Sequence, residues 1–204
     1  GASSGDTKAL TVWVGALQDS QKSDFDRLIK AFQDANEGYT VSYQTHSTDD
    51  LKEAMRQVSG TNAGPDIYWY WEGPGLGGEL VDAKMSLDLT DYYKQYGWEE
   101  RFTSASLAGI TQYGGYNGVP WTLQAQALYY NKTLFAQAGI TSEPTTYEEL
   151  VEACDKLVAA GITPIEFGGT VNWHVMRLLD SLIEKYCGAD VATTLVTDKK
   201  GWDT

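Results

Sequence analysis

The sequence predicts an α/β fold in which helices cover a parallel β-sheet. Two observations predict it: over residues 10–71, strand-like segments alternate with helical segments, and each helical segment is long enough to cross from one strand to the next. Parallel strands need such a crossover connection, which a helix usually supplies. Ligands of such open sheets bind beyond the carboxyl ends of the strands, so the loops after Val14, Thr45 and Trp71 are the first candidates for a site.

The first strand, the first helix and the second strand follow from local patterns. Residues 10–14 are apolar and β-branched, as a strand buried on both faces requires, and residues 39–45 alternate apolar and polar side chains. Between them, apolar residues recur at the spacing of one helix face before Gly38 ends the helix. Ser23 with Asp26 resembles a capping box, so we expect the helix to begin near Ser23.

A second helix and a third strand continue this pattern. The helix begins near Asp49 or Asp50, buries an apolar face and ends at Gly60. After a Gly-Pro turn, residues 67–71 combine one isoleucine with four aromatic side chains and predict a strand. Residues 79–102 are more irregular and contain short helical patterns.

Five further elements are predicted beyond residue 102. They are a hairpin over residues 112–120, a strand over 125–130, a helix capped by Thr145 and Glu148 that ends at Gly161, a strand over 162–167, and a helix from Asn172 to Gly188. The hairpin depends on the Gly-Gly and Asn-Gly dipeptides. The two helices depend on their apolar faces and on the glycines that follow them.

Composition limits the possible partners. The 204 residues carry a net charge of −13, whereas binding a nucleic-acid backbone or an anionic membrane surface needs a basic face. Apolar residues make up 42% of the chain and charged residues 21%, which is ordinary for a folded globular chain. No apolar stretch approaches the roughly 18–20 residues of a membrane span. Seven tryptophans are unusual and indicate a surface whose indole rings pack against the flat apolar faces of a ligand.

A glycine-rich segment raises the question of nucleotide binding. Residues 73–78 satisfy the G-x-G-x-x-G pattern after a predicted strand, and Asp91 follows at nearly the spacing of a dinucleotide fingerprint. Bulky Tyr, Trp and Glu side chains at the end of that strand would crowd the phosphate turn. We therefore interpret the segment as a tight loop beside a site and keep a nucleotide-binding α/β module as an alternative.

Catalytic and metal-binding patterns are weak. Asp66 and Glu72 could form the carboxylate pair of a glycosidase, but along one strand they would be about 20 Å apart, beyond the roughly 5–9.5 Å that this chemistry needs. The sequence has no nucleophile elbow, zinc cluster or P-loop pattern. Cys154 and Cys187 fit two small buried side chains on neighbouring helices better than a disulfide. We predict no catalysis, no metal and no cofactor.

Tryptophans beside polar groups form the stronger pattern. Trp71 precedes Glu72 after a strand, Trp121 follows the predicted hairpin, and Trp173 lies between Asn172 and His174 before a helix. A pyranose offers C–H faces that pack on aromatic rings and a rim of hydroxyls that polar side chains can satisfy. The pattern therefore favours sugar binding. His46 and His174 are isolated in sequence, and each is interpreted as an ordinary surface or hydrogen-bonding histidine.

Seven segments also carry a family resemblance. In order they are Leu10-Thr-Val-Trp13; Gly64-Pro-Asp-Ile-Tyr-Trp69; Leu87-Asp-Leu-Thr90; Gly114-Gly-Tyr-Asn-Gly-Val-Pro120; Ala127-Leu-Tyr-Tyr-Asn-Lys-Thr-Leu-Phe135; Pro144-Thr-Thr-Tyr-Glu-Glu-Leu150; and Gly161-Ile-Thr-Pro164 with Ile165, running on to Trp173. Together they resemble the extracellular carbohydrate-binding lipoproteins and periplasmic proteins that deliver sugars to bacterial ABC importers. Each segment is weak alone, but their shared order across nearly the whole chain is specific.

The resemblance implies a periplasmic-binding-protein-like architecture of two α/β lobes that close on a sugar. Residues 1–9 would be a flexible tether, residues 10–122 a nearly complete first lobe, and residues 123–204 a hinge strand and a partial second lobe. The resemblance also suggests a set of ligand-binding residues. That set is Gln18, His46, Trp71, Glu72, Trp121, Gln124, Asn172 and Trp173.

The resemblance also implies partners and a location. The protein would bind a carbohydrate, work with the membrane subunits of an ABC importer, and act outside the cell or in the periplasm as a cell-surface lipoprotein. The lipid-bearing cysteine of such lipoproteins is absent from these residues, and members of the family are considerably longer. We therefore expect the first half of a binding protein, with the other half as a further partner. A glycan-acting enzyme and a receptor of the same fold for a non-sugar solute remain alternatives.

Overall fold

The computed structural model describes residues 8–170 and 172–197. The chain divides into two compact units, Gly1–Leu123 and Gln124–Thr204. In the described part of the chain, no helix combines the length and apolarity that crossing a membrane requires.

A three-stranded parallel sheet with the order β2-β1-β3 lies in the first unit. The central strand β1 (Lys8–Gly15) pairs along its whole length with β2 (Tyr39–His46), and at Val12 and Trp13 it pairs with β3 (Ile67–Tyr68). Two helices, α1 (Asp19–Ala35) and α2 (Thr48–Val58), connect the strands. The predicted α/β class with a parallel sheet is therefore confirmed.

The first helix begins earlier than the sequence predicts. Gln18 is the residue before its first turn, and the backbone N–H of Gln18 donates to the side-chain oxygen of Gln21 at 2.9 Å. Ser23 instead lies inside the helix, where its hydroxyl donates to the carbonyl of Asp19. The start predicted at Ser23 is wrong because the glutamine pair already satisfies an open backbone donor one turn earlier.

The second helix agrees with the prediction. The hydroxyl of Ser47 accepts from the backbone N–H of Asp50 and caps the helix. Leu51 and Met55 are completely buried and form a core with Leu80, against which four aromatic side chains of residues 68–71 pack. Burial of this face is what fixes the helix on the sheet.

The third strand is shorter than predicted. Its ladder extends by one bond beyond Tyr68, from the N–H of Trp69 to the carbonyl of Trp13 at 2.8 Å. Tyr70 and Trp71 lie beyond the strand, and their rings pack against the core. Ring burial replaces strand pairing at these two positions.

Four short helical segments follow in the first unit. They are α3 (Gly77–Asp82), α4 (Thr90–Tyr96), a 3-10 turn (Trp98–Arg101) and α5 (Ser104–Thr111). The buried Tyr93 on α4 binds the segment that follows α5. Its hydroxyl donates to the carbonyl of Gly118 at 2.9 Å, and its ring stacks on Tyr116 with ring centroids 4.0 Å apart.

The hairpin predicted over residues 112–120 is wrong. The N–H of Gly114 donates to Thr111 and that of Asn117 to Ile110, so the segment wraps the end of α5. Glycine and asparagine favour turns of several kinds, and they indicate a hairpin only where strands flank them.

Helices make up the regular structure described in the second unit. They are α6 (Lys132–Gln137), α7 (Tyr147–Ala159), α8 (Asn172–Cys187) and α9 (Ala189–Thr197). The hydroxyl of Thr146 accepts from the N–H of Glu149, so the cap of α7 lies one residue beyond the predicted pair of Thr145 and Glu148.

The strands predicted over residues 125–130 and 162–167 are wrong. Neither segment pairs with another strand among the described residues, and the side chains of residues 125–129 are exposed. Apolar and β-branched composition gives only a preference for a strand, which becomes stable when a neighbour satisfies its backbone groups. The hinge strand expected here is thus a segment without regular secondary structure.

The two cysteines are free thiols. Cys154 is partly buried on α7, whereas Cys187 is exposed at the end of α8. The expectation that both are buried is therefore wrong for Cys187, which is the exposed last residue of α8.

Candidate functional site

The carboxyl ends of the strands bring aromatic side chains together. Trp13 and His46 lie with ring centroids 5.1 Å apart, and Gly15 pairs in register with His46. A Cβ atom on Gly15 would lie 3.0 Å from the ring of Trp69, so glycine allows this indole to approach the strand. A cluster of rings therefore lies at the last residues of β1 and β2, next to the predicted loops.

His46 carries an unsatisfied polar atom in this cluster. Its Nε2 is buried and has no hydrogen-bond partner within the described residues. Buried polar atoms are nearly always paired, so an orphaned one indicates a place where a water or a ligand group belongs. The interpretation of His46 as an ordinary surface histidine does not account for this buried nitrogen.

Trp71 is partly a core residue. Its ring lies 4.6 Å from that of Trp69 and packs against the core of the first unit. The ammonium of Lys52 lies 5.0 Å from the centroid of the Trp71 ring, which is cation–π geometry. The indole is therefore held from several sides.

Glu72 follows Trp71 and rests against α5. Its carboxylate occupies the space that a side chain on Gly109 would need. Partial removal from water raises the pKa of the Glu72 carboxyl above its usual value. Beside it, the hydroxyl of Tyr113 accepts from the N–H of Gly73 at 2.8 Å, and burial raises the pKa of Tyr113.

Trp121 lines a groove in the same unit that is distinct from the ring cluster at the strand ends. Its indole is 57% exposed and contacts Phe25 edge-on, with ring centroids 6.0 Å apart. The groove has a volume of about 300 Å³ and is lined by Leu17, Gln21, Asp24, Phe25, Arg27, Leu28 and Trp121. The exposed Gln18 lies next in sequence to Leu17. An apolar platform and polar groups therefore meet here.

A larger depression between α1 and β2 is less suitable. It has a volume of about 510 Å³, but its polar groups already satisfy one another. The hydroxyl of Tyr43 donates to Asp26 at 2.9 Å, and the ammonium of Lys30 pairs with Asp34 at 2.8 Å. A ligand would have to displace these contacts.

The second unit holds the remaining predicted residues. Gln124 is exposed at its start, and Asn172 is the first residue of α8. Trp173 is 53% exposed, and its ring centroid lies 3.8 Å from that of His174. The Nδ1 of His174 lies 2.6 Å from the carbonyl oxygen of Gly168.

Sequence reasoning missed several members of these clusters. Trp13, Trp69 and Phe25 contact the predicted residues, yet none was a candidate. The two-residue spacing of Trp69 and Trp71 was one available signal, because the strand predicted over residues 67–71 would place alternate side chains on one face. The contact of Phe25 with Trp121 joins residues far apart in sequence and left no local signal.

Metal binding finds no support in the part of the chain that the structure describes. No group of three or more His, Cys, Asp and Glu side chains there could hold a metal ion. The site chemistry consists instead of indole faces, amides, carboxylates and imidazoles.

Comparison with known sequences finds relatives that are named as binding proteins. A protein of Brucella abortus named only as a binding protein is 29% identical over 169 residues, covering 82% of this chain and 40% of that protein. A protein of Mesorhizobium japonicum named a probable sugar-binding periplasmic protein is 31% identical over 97 residues, covering 47% of this chain and 23% of that protein. The aligned residues therefore make up less than half of either relative.

Comparison with solved structures agrees. A structure named as a chitin oligosaccharide binding protein superposes with a TM-score of 0.77 at 27% identity, covering 97% of this chain and 50% of that one. This chain thus matches half of a larger binding protein.

A sequence profile completes the comparison. The profile described as bacterial extracellular solute-binding protein matches residues 16–204, which is nearly the whole chain. The resemblance seen in the seven segments is confirmed, and proteins of this kind bind a solute without transforming it. The chain belongs to the family of bacterial extracellular solute-binding proteins.

Proposed function

We propose that this chain forms part of a receptor that binds a mono- or oligosaccharide outside the cell or in the periplasm and delivers it to an ABC importer without altering it. The observation that carries the proposal is the exposed indole of Trp121 above a groove lined by amide, carboxylate and guanidinium groups. Family membership supports the transport role, and the groove supports the ligand class.

The groove supplies the two kinds of contact that a pyranose needs. The indole of Trp121 offers an apolar surface for the C–H groups of the sugar ring. Gln21, Asp24 and Arg27 offer donors and acceptors for its hydroxyls. Arg27 bonds Asp24 through one nitrogen at 3.3 Å, and its five N–H groups leave other donors for a ligand.

The orphaned His46 Nε2 supports a second polar contact at the strand ends. A sugar hydroxyl or a bridging water would satisfy this atom, and Trp13 beside it would exclude bulk water. Glu72, with its raised pKa, adds a carboxyl group that a partly dehydrated sugar could bond. These groups define the first unit's share of the proposed ligand contacts.

The proposal draws ligand contacts from both units. Gln124, Asn172 and Trp173 would contribute from the second unit, and Gln18, His46, Trp71, Glu72 and Trp121 from the first. A ligand that contacts both units stabilises the closed state of a two-lobe receptor, because only that state makes all contacts. Attachment to the membrane through a lipid and completion of the fold by further residues of the natural chain belong to the same proposal.

The names of the relatives support the ligand class. One relative is named for sugar binding and one structure for chitin oligosaccharide binding. We therefore choose chitotriose, xylotriose, maltotriose and glucose as probes. Spermidine and a short peptide represent non-sugar solutes.

Calorimetry on the intact protein, with whatever residues flank these 204 in its natural chain, tests the proposal. We expect saturable heat with at least one of the four sugars and none with spermidine or the peptide. Heat with only a non-sugar solute, or with none of the probes while the protein is folded, would contradict sugar binding. Release of reducing sugar over hours would contradict the absence of catalysis.

A further inference from the structure

We propose that His174 is a specificity-determining residue of the sugar site, whose Nε2 accepts a hydrogen bond from a hydroxyl of a sugar that packs on Trp173. This inference rests on the proposed function and adds a residue that the candidate set lacks. The observations that carry it are the contacts of the imidazole with Gly168 and Trp173.

The contact with Gly168 sets the proton position on the imidazole. Nδ1 lies 2.6 Å from the backbone carbonyl oxygen of Gly168, and a carbonyl oxygen can only accept. Nδ1 therefore carries the hydrogen. In the neutral ring Nε2 is then a bare acceptor, and no hydrogen bond joins it to another residue in the described ranges.

Two neighbours hold the ring in place. The Trp173 ring lies 3.8 Å from it, at an angle of 75° between the ring planes. Gly168 permits the approach on the other side, because a Cβ atom there would lie 2.9 Å from Nδ1. Preorganised side chains lose little entropy on binding, so this acceptor is ready for a ligand.

The indole beside this acceptor determines what it would recognise. Trp173 is 53% exposed, so a face of its indole is accessible to a ligand. A sugar ring packed on this indole would bring its hydroxyl rim near His174. An acceptor at this position favours a hydroxyl over hydrogen or methoxy, neither of which can donate.

Two glycines provide a matched pair of variants. Gly168→Ala places a methyl group against Nδ1 and displaces the imidazole, whereas Gly169→Ala meets no atom within 4 Å. His174→Phe keeps an aromatic ring against Trp173 but removes the acceptor. Together these variants separate the acceptor from packing and from general effects on the loop.

Calorimetry on the intact protein with chitotriose, xylotriose, maltotriose and glucose provides the test. We expect His174→Phe and Gly168→Ala to weaken the best of these sugars about tenfold, and Gly169→Ala to stay within twofold, with thermal midpoints confirming that each variant is folded. Wild-type affinity in both His174→Phe and Gly168→Ala would overturn the inference and leave sugar binding intact. A wild-type protein that binds none of the sugars would overturn both.

Nitrogen-15 NMR of the histidine side chains gives an independent readout. We expect His174 to show a hydrogen on Nδ1 and a bare Nε2, and addition of the bound sugar to shift the Nε2 resonance toward that of a hydrogen-bonded nitrogen. A hydrogen on Nε2, or a resonance that the sugar leaves unchanged, would overturn the inference.

Discussion

The indole of Trp121 packs edge-on against the phenyl ring of Phe25, with the ring planes at 77°. Phe25 lies on α1, far from Trp121 in sequence, and the contact fixes the indole beside the groove while more than half of its surface stays exposed. Edge-to-face contacts of this kind add about 0.5–1.5 kcal/mol beyond area burial. The indole is therefore both anchored and accessible.

This arrangement predicts the effect of Trp121→Ala. We expect about tenfold weaker sugar binding by the intact protein, or about 1.4 kcal/mol, because the apolar platform is lost. Folding should change little, since the side chain is mostly exposed. Calorimetry gives the affinity and thermal unfolding gives the stability.

Tyr92→Ala is the matched control for this variant. Tyr92 is an aromatic residue of the same unit, lies on α4 and is 44% exposed. We expect its removal to leave sugar affinity within twofold of wild type. Equal losses in both variants would show that the groove has no special role.

The sequence predicted the fold best where the pattern was local. The strand at residues 10–14 and the helix over Leu51 and Met55 were predicted because the pattern of apolar residues that marks each of them lies within a short stretch of sequence. The strands at residues 125–130 and 162–167 were not, because a strand depends on a neighbour that local composition does not reveal.

The same distinction applies to the candidate site. The loop position of Trp121 was visible from the sequence, and so was the pairing of Trp173 with polar neighbours. The support of Trp121 by Phe25 and the carbonyl that orients His174 depend on the folded backbone. Residue types predict the chemistry of a site, whereas contacts between distant segments decide which groups are available.

Met55→Ala tests the core that positions Trp71. Met55 is completely buried with Leu51 and Leu80. We expect a loss of about 2–5 kcal/mol in the free energy of unfolding, because the truncation leaves a cavity. Urea titration followed by tryptophan fluorescence gives this value.

Leu87→Ala serves as its control. Leu87 is 66% exposed, so its truncation should change the free energy of unfolding by at most about 0.5 kcal/mol. A Met55→Ala protein as stable as the Leu87→Ala protein would contradict the assigned core.

The link between Asp66 and Thr11 predicts a pH dependence. The Asp66 carboxylate accepts from the Thr11 N–H at 2.8 Å and from its hydroxyl at 2.9 Å, and these bonds lower the pKa of Asp66 below its usual value. In the unfolded chain an aspartate titrates near about 3.9. The stabilisation is therefore present above that pH and is lost as the pH falls through the lower folded pKa.

Asp66→Asn should reduce this dependence. We expect the variant to lose less stability than wild type when the urea midpoint is compared at pH 7 and pH 3, because its side chain does not titrate. Thr11→Val should also lessen the dependence, and Thr11→Ser, which keeps the hydroxyl, should match wild type. A slope unchanged in Asp66→Asn would contradict the assigned contribution.

Glu72 and Gly109 offer a way to move one candidate ligand group without mutating it. The carboxylate of Glu72 fills the space beside Gly109, so an added methyl group must displace it. The end of a glutamate side chain is flexible and can move away at little cost. Gly109 also lies within α5, where alanine is favoured over glycine by about 1 kcal/mol.

Gly109→Ala should therefore separate affinity from stability. We expect the thermal midpoint of the intact protein to hold or rise while its affinity for the best-binding sugar falls about threefold to tenfold, because Glu72 no longer occupies its position. Gly75→Ala is the control, since a Cβ atom there meets nothing within 4 Å. Unchanged affinity in Gly109→Ala, measured by calorimetry on a folded protein, would remove Glu72 from the set of ligand contacts.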